Sequence, residues 1–349
     1  MYHPLVDRLF SQPGSSPGSW RRRAATAAGA ALALAALLAR PAGGALLRVP
    51  GEYATIQYAL IVAAAGDTVL VAPHTCYETI VWPDKPSLCL LSEAGPEATT
   101  IDGLHAGPVI RFSTALDSTT VVRGFTITNG QADLGGGIRC ENASPLIVGN
   151  HFVANVAIGY GGGFYCAEGS CAPILRDNRF IDNAVLSGSG GGVCAHFGAF
   201  PIVTGNEFRG NSADLFYGGG VHCEEAAGHG SRIVIAGNDF FENSARGGGA
   251  ISLFNPFALA PEIRGNRIVG NVAQSGGGGV MLYWTLAAMT DNVIRDNRSD
   301  GYGGGVHLVN SHTVRLWACD LSDNRAASGG GISFIAWCHG PEVIDCTIS

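Results

Sequence analysis

The chain has 349 residues, 46% hydrophobic and 14% charged, so it can bury a core while carrying about half the charge usual for a soluble protein. Basic residues number 21 against 28 acidic ones, a formal net charge of -7 that gives no attraction to nucleic acid or anionic lipid. The 51 glycines fall in triplets, not at every third position, which excludes a collagen helix.

Arg21, Arg22 and Arg23 precede the apolar run Ala24 to Ala39, and small residues Ala42, Gly43, Gly44 and Ala45 follow. That order predicts a secretory signal over 1–45, cleaved after Ala45, and one domain over 46–349. The run is too short and too rich in alanine for a membrane span. Membrane attachment is expected only through an uncleaved signal or an anchor outside this sequence. Removing the signal leaves 16 basic against 27 acidic residues. Ten cysteines suit an oxidising compartment, and their spacings match no zinc signature. The expected location is secreted, or on a bacterial cell surface or outer membrane.

After the signal, Tyr53 to Ala65 carries Ile56, Ala59, Leu60 and Ala63 at helical spacing, with Gly66 as a stop. This predicts a short amphipathic helix that covers one end of a core. Strands are predicted at Thr68–Ala72, Glu78–Val81, Leu88–Leu91, Thr99–Asp102, Val109–Phe112 and Thr119–Thr128.

From about residue 123 a unit of roughly 26 to 32 residues repeats: a glycine triplet, an apolar residue, then Asn-x-Phe-x-x-Asn. The triplets begin at Gly135, Gly161, Gly190, Gly218, Gly247, Gly277, Gly303 and Gly329. Short alternating apolar runs such as Pro145-Leu-Ile147 predict three strands per unit. Such a unit cannot enclose a core alone, but stacked units whose equivalent strands pair in parallel can. The predicted fold is an all-β parallel β-helix of about ten coils.

Two asparagine ladders follow from the stacking. One holds Asn150, Asn178, Asn206, Asn238, Asn266 and Asn292; the other holds Asn155, Asn183, Asn211, Asn243, Asn271, Asn297 and Asn324. Asparagine tolerates the left-handed conformation of a corner, and its amide can bond to the same residue one coil away. In the last coils Cys319 and Cys346 take the first ladder's place, at a separation expected to suit a disulfide. The segment Ile344–Ser349 ends inside a repeat, from which a further coil and a cap or sorting domain are expected.

Residues 49–81, VPGEYATIQYALIVAAAGDTVLVAPHTCYETIV, resemble the opening of bacterial right-handed parallel β-helix proteins of the pectate-lyase-like superfamily. The GGG-apolar and FxxN units are similar to the repeat of chlamydial polymorphic outer membrane proteins. The resemblance implies a right-handed coil and a site on the outside of the coils. His74-Thr-Cys76 departs from the Gly-containing turn of that opening. The same solenoid serves lyases, hydrolases, esterases, epimerases and adhesins, so the resemblance does not fix an activity.

Alternation after each triplet points Arg139 and Glu141, Tyr165, Cys194 and His196, His222 and Glu224, Ser252 and Phe254, Met281 and Tyr283, His307 and Ser333 outward. His196, His222 and Glu224 are predicted to meet across neighbouring coils as a small acid-base or metal-binding cluster. With Tyr283 and His307 they form the candidate ligand face, His307 sharing only an extended glycan. Otherwise this face is an ordinary solvated β-face. Gly228-His229-Gly230 is similar to an element of polygalacturonases, but the NTD and DD strings of that family are missing, so it is read as a loop coincidence. A lyase would need clustered carboxylates for calcium and a base, with Glu224, Glu225 and Arg232 nearest. The expectation is a structural, adhesive or glycan-binding β-helix without cofactor, with a lyase or hydrolase of acidic polysaccharide as the alternative.

Overall fold

The computed structural model describes residues 44–168, 171–224, 232–254, 260–311, 313–338 and 340–349. The expected signal, except for Gly44 and Ala45, lies outside the described residues, as do Glu225 and Gly228-His229-Gly230. Every strand pairing is parallel, and equivalent strands of successive coils stack into long sheets. The parallel β-helix expected from the repeat is therefore the fold.

The first sheet holds ten strands, from Ile80–Val81 to Ile332–Ile335, each later one following a glycine turn. The second holds twelve, from Leu46–Val49 to Glu342–Ile344, and the third eleven, from Thr75–Tyr77 to Thr347–Ile348. A fourth sheet of seven strands, from Gln131–Leu134 to Arg298–Ser299, was not expected. The residues after the second asparagine, such as Val156–Tyr160 and Ser212–Tyr217, run extended and pair with their own equivalents. Most repeat units thus carry four strands instead of the three predicted.

Alternation sets the core. Phe152, Phe180, Phe208 and Phe240 stack ring on ring at 4.5, 4.8 and 4.7 Å, nearly parallel, and Ile268 and Ile294 continue the column. The third glycine of each triplet faces this column: a Cβ on Gly192 would lie 2.9 Å from Phe208 Cδ1, and one on Gly220 2.8 Å from Phe240 Cδ1. Where the ring gives way to Ile268, the third place is Ala250. That coil's left-handed glycine is Gly248, with φ 64°, so its turn is Gly248-Gly249-Ala250 and not the triplet 247–249 read from the sequence.

Both asparagine ladders are buried and bonded as expected. Asn150 donates its backbone N–H and its Nδ2–H to Asn178 Oδ1, at 3.0 and 3.2 Å. Each amide also donates to a backbone carbonyl, as Asn178 Nδ2 does to Ile147 O at 3.0 Å. The left-handed residue is not the asparagine but the one before it: Gly149, Asp177, Gly205 and Gly237 on one ladder, Ala154, Asp182, Gly210 and Glu242 on the other. That residue turns the chain, and the asparagine is left to point along the stack.

Cys319 and Cys346 correct another expectation. Cys346 Sγ accepts from Cys319 N–H at 3.4 Å and donates to Leu316 O at 3.5 Å. Cys319 Sγ accepts from Asn292 Nδ2 at 3.8 Å and donates to Met289 O at 3.6 Å. The two thiols extend the ladder's bonding and form no disulfide with each other.

At the N-terminal end the helix spans Ile56–Val62, shorter than predicted. Thr55 caps it by accepting from Tyr58 N–H at 3.1 Å, and the Glu78 carboxylate takes the N–H groups of Ile56 and Gln57, each at 2.9 Å. Ile56, Ala59 and Leu60 are buried against the core. The helix ends at Ala63, whose carbonyl accepts from Lys85 Nζ at 2.7 Å; Gly66, φ 88°, serves the turn into Thr68–Val71. The predicted strand Glu78–Val81 begins only at Ile80, since Glu78 is occupied at the cap, and Thr119–Thr128 is broken at Gly124, φ 80°. His74 closes its unusual turn by bonding Ala72 O through Nδ1 at 2.7 Å and Cys76 Sγ through Nε2 at 3.2 Å.

Candidate functional site

The glycine turn folds the end of each fourth-sheet strand over the outward face of the first sheet. Tyr160 stacks on His196 with centroids 4.8 Å apart, Tyr217 on His222 at 6.3 Å, and Tyr302 on His307 at 5.6 Å. The fit is close: a Cβ on Gly276 would lie 2.5 Å from His307 Cδ2, and one on Gly247 2.6 Å from Met281 Sδ. The face is consequently not the solvated one expected. His196, His222 and His307 are 6%, 1% and 4% exposed. Tyr165, Cys194, Ser252, Met281 and Ser333 are buried beside them.

Strand register brings together three of the predicted residues. His196 stands on Val193–His196, and Glu224 takes the equivalent place on the next strand, Val221–Glu224. His196 Nε2 donates to Glu224 Oε2 at 2.8 Å, and His222 Nε2 faces the same oxygen at 3.7 Å. These two imidazoles hold the Glu224 carboxyl far below the usual carboxylate range. Burial pushes the His222 pKa down, which keeps that ring neutral. Nδ1 of both rings is buried without a hydrogen-bond partner among the described residues. Glu224 itself keeps 48% of its side chain exposed.

Next to Glu224 in register comes Phe254, then Tyr283. Tyr217, Phe254 and Tyr283 form a half-buried row, with centroids 4.5 and 5.0 Å apart. His307 is not part of the cluster: it bonds Ser333 Oγ through Nδ1 at 2.6 Å under the Tyr302 ring, buried away from any ligand. Arg232 pairs with Glu262 at 3.6 Å instead of joining Glu224. Arg139 and Glu141 pair at 2.5 Å, with Arg111 at 3.6 Å from the same carboxylate. Arg139 also borders a shallow groove of about 440 Å³ lined by His105, Gln131 and Asp133.

Five aromatic residues escaped the sequence reading. Tyr160, Tyr217 and Tyr302 each stand immediately before a glycine triplet, and that Tyr-Gly-Gly-Gly string was a visible signal for rings folded onto the outward face. Phe197 and Trp284 directly follow first-sheet strands, at left-handed φ values of 49° and 54°, and remain 58% and 42% exposed. Asn142 and Asn310 occupy the equivalent place in other coils.

Two-carboxylate hydrolysis needs a second carboxyl within about 5–10 Å. Along the row, Glu141 is separated from Glu224 by three strand spacings, about 14 Å, and is tied to two arginines. Among the described residues no group of three His, Cys, Asp or Glu is arranged to hold a metal ion.

Residues 99–240 match the family model described as "right handed beta helix region". The fold is a right-handed parallel β-helix. No curated protein matches the chain. Among solved structures, a mannuronic acid specific polysaccharide family 6 lyase from human gut microbiota aligns over 81% of this chain and 82% of its own, with 10% identity and a TM-score of 0.29. A likeness at that level carries no argument about chemistry.

Proposed function

We propose that this β-helix is a secreted or cell-surface protein that binds glycan along the open edge of its first sheet and does not cleave it. The observation that carries this reading is the pair Phe197 and Trp284. A large side chain in the left-handed region costs about 1–2 kcal/mol, and the two rings stay 58% and 42% exposed, so core packing does not account for them. They stand three coils apart, about 14 Å, at the two ends of the row His196, Glu224, Phe254 and Tyr283. A pyranose presents apolar C–H faces rimmed by hydroxyls, which suits flat rings beside a carboxylate acceptor. The similarity of the repeat to chlamydial polymorphic outer membrane proteins supports display at a surface, and the signal-like N-terminus supports export.

The part-buried His196–Glu224 pair, with its strongly shifted carboxyl, favours polysaccharide cleavage as a second reading. The full chain incubated with a panel of neutral, amino and acidic polysaccharides separates the two. Retention without new reducing ends or unsaturated products is expected, and Phe197→Ala with Trp284→Ala should weaken it about tenfold without changing the circular dichroism melt. Products that vanish in Glu224→Gln would replace binding by catalysis, and failure to retain any glycan would remove both readings.

A further inference from the structure

Glu224 differs from Glu207, Glu262 and Glu342 in having no arginine on it. Glu207 pairs with Arg179 at 3.4 Å, Glu262 with Arg232 at 3.6 Å and Glu342 with Arg315 at 2.9 Å. Among the described residues, the ion-pair partners of Glu224 are only the imidazoles of His196 and His222, both on Oε2. Its Oε1 makes no hydrogen bond to a described residue and belongs to a half-exposed side chain. Burial disfavours a charge on His222, and the two N–H groups favour one on Glu224, so the corner keeps an anion at neutral pH.

The surroundings suit a cation better than any other donor. Phe254 is the register neighbour of Glu224, with Tyr217 at 4.5 Å on one side and Tyr283 at 5.0 Å on the other. The negative faces of aromatic rings attract an ammonium group, and a carboxylate beside them supplies the countercharge. A uronate would instead bring its carboxylate against Glu224, on a chain that is already net acidic.

We propose that the corner formed by Glu224, Tyr217, Phe254 and Tyr283 receives the protonated amino group of an amino-sugar polymer. The inference rests on the glycan-binding reading and names its ligand class. The ammonium donates to Glu224 Oε1 and lies against the rings, while the sugar rings extend along the coils toward Phe197 and Trp284. Acetylation of the amine removes the charge and with it the recognition.

The test is titration calorimetry of the full chain with three oligomers of equal length: glucosamine, N-acetylglucosamine and a uronate, at a pH where the free amine is protonated. The glucosamine oligomer should bind at least about tenfold more tightly than the other two. Glu224→Gln should abolish that preference, and Phe254→Leu should reduce it at unchanged melting temperature. Equal binding of the acetylated or uronate oligomer, or a preference that survives Glu224→Gln, overturns the amine assignment but keeps a glycan-binding protein. Absence of binding to every oligomer overturns the underlying reading as well.

Discussion

Asn183 Oδ1 accepts both the backbone N–H of Asn155, at 3.1 Å, and its Nδ2–H, at 3.0 Å. One oxygen thereby satisfies two buried donors of the preceding coil. Asn183 Nδ2 in turn donates to Phe152 O at 2.9 Å and to Asn211 Oδ1 at 2.9 Å. The ladder carries polar pairing through the inside of the solenoid, where no water would replace it.

Asn183→Ala therefore removes more than one bond. It strands the backbone N–H and one amide hydrogen of Asn155, whose other amide hydrogen stays on Ile127 O, and removes a donor from the carbonyl of Phe152, so the expected loss is about 3 kcal/mol, from roughly 1–3 kcal/mol per buried group left unpaired. Urea unfolding of the purified chain measures it. A loss below about 1 kcal/mol would mean that the coils are held by their apolar column alone.

Cys319 occupies a ladder place with a longer and weaker acceptor, 3.8 Å from Asn292 Nδ2. Cys319→Asn should restore an oxygen to that place and raise stability by about 1 kcal/mol. Thiol titration of the unfolded, unreduced chain should count Cys319 and Cys346 as reactive. If the pair is unreactive until reduced, a disulfide and not the ladder bonding joins the last coils.

The ladder asparagines were legible because each is a fixed residue type at a fixed place in the repeat. The residues that turn the chain before them were not, since Gly149, Ala154, Asp177 and Glu242 share only a backbone angle. The fourth sheet escaped for a similar reason: Val156–Tyr160 and Ser244–Gly247 pair through backbone and have little apolar pattern in common. Missing that sheet hid the burial of the outward face, because the rings that cover His196 and His222 are Tyr160 and Tyr217, at the ends of fourth-sheet strands. The His196–Glu224 contact itself was predictable, as strand register alone decides it.

Ala154 holds φ 53° where Asp182 and Gly210 stand in the next two coils. A Cβ in this conformation meets the following carbonyl, at a cost of about 1–2 kcal/mol. Ala154→Gly should therefore stabilise the chain by about 1 kcal/mol, even though glycine lowers stability at most positions. Gly149→Ala is the matched control: its Cβ would touch nothing within 4 Å, so its expected loss of about 1 kcal/mol is backbone strain alone. Melting curves showing Ala154→Gly to be destabilising would contradict the strain argument.

Gly162 makes the opposite demand, for space. A Cβ there would lie 2.5 Å from Gly191 O and 2.6 Å from Ala184 O, both backbone atoms that cannot rotate away. Gly162→Ala must separate the turn from its neighbours and open the corner where Tyr160 covers His196. A loss of more than about 3 kcal/mol is expected, larger than for ordinary overpacking of a core. If Gly162→Ala melts like the parent chain, the triplets are not close-packed corners.

His307 ties stability to pH. Burial lowers its pKa from 6.5 to about 4, so between those values the unfolded chain binds a proton that the folded chain refuses. The sign follows: the contribution of His307 is complete above about pH 6.5 and is lost as the pH falls toward about 4. The shift corresponds to a loss of up to about 3 kcal/mol across that window. His151 and His222, whose pKa values burial also lowers, act in the same direction and add to the slope. Methionine at this position is already accommodated one coil earlier, as Met281, so His307→Met keeps the packing against Gly276 and Tyr302 while removing the titrating group. Urea midpoints from pH 7 to pH 4 should fall less steeply for His307→Met than for the parent. Parallel curves would show that His307 is protonated within the fold and that its Ser333 bond, not its burial, sets its charge.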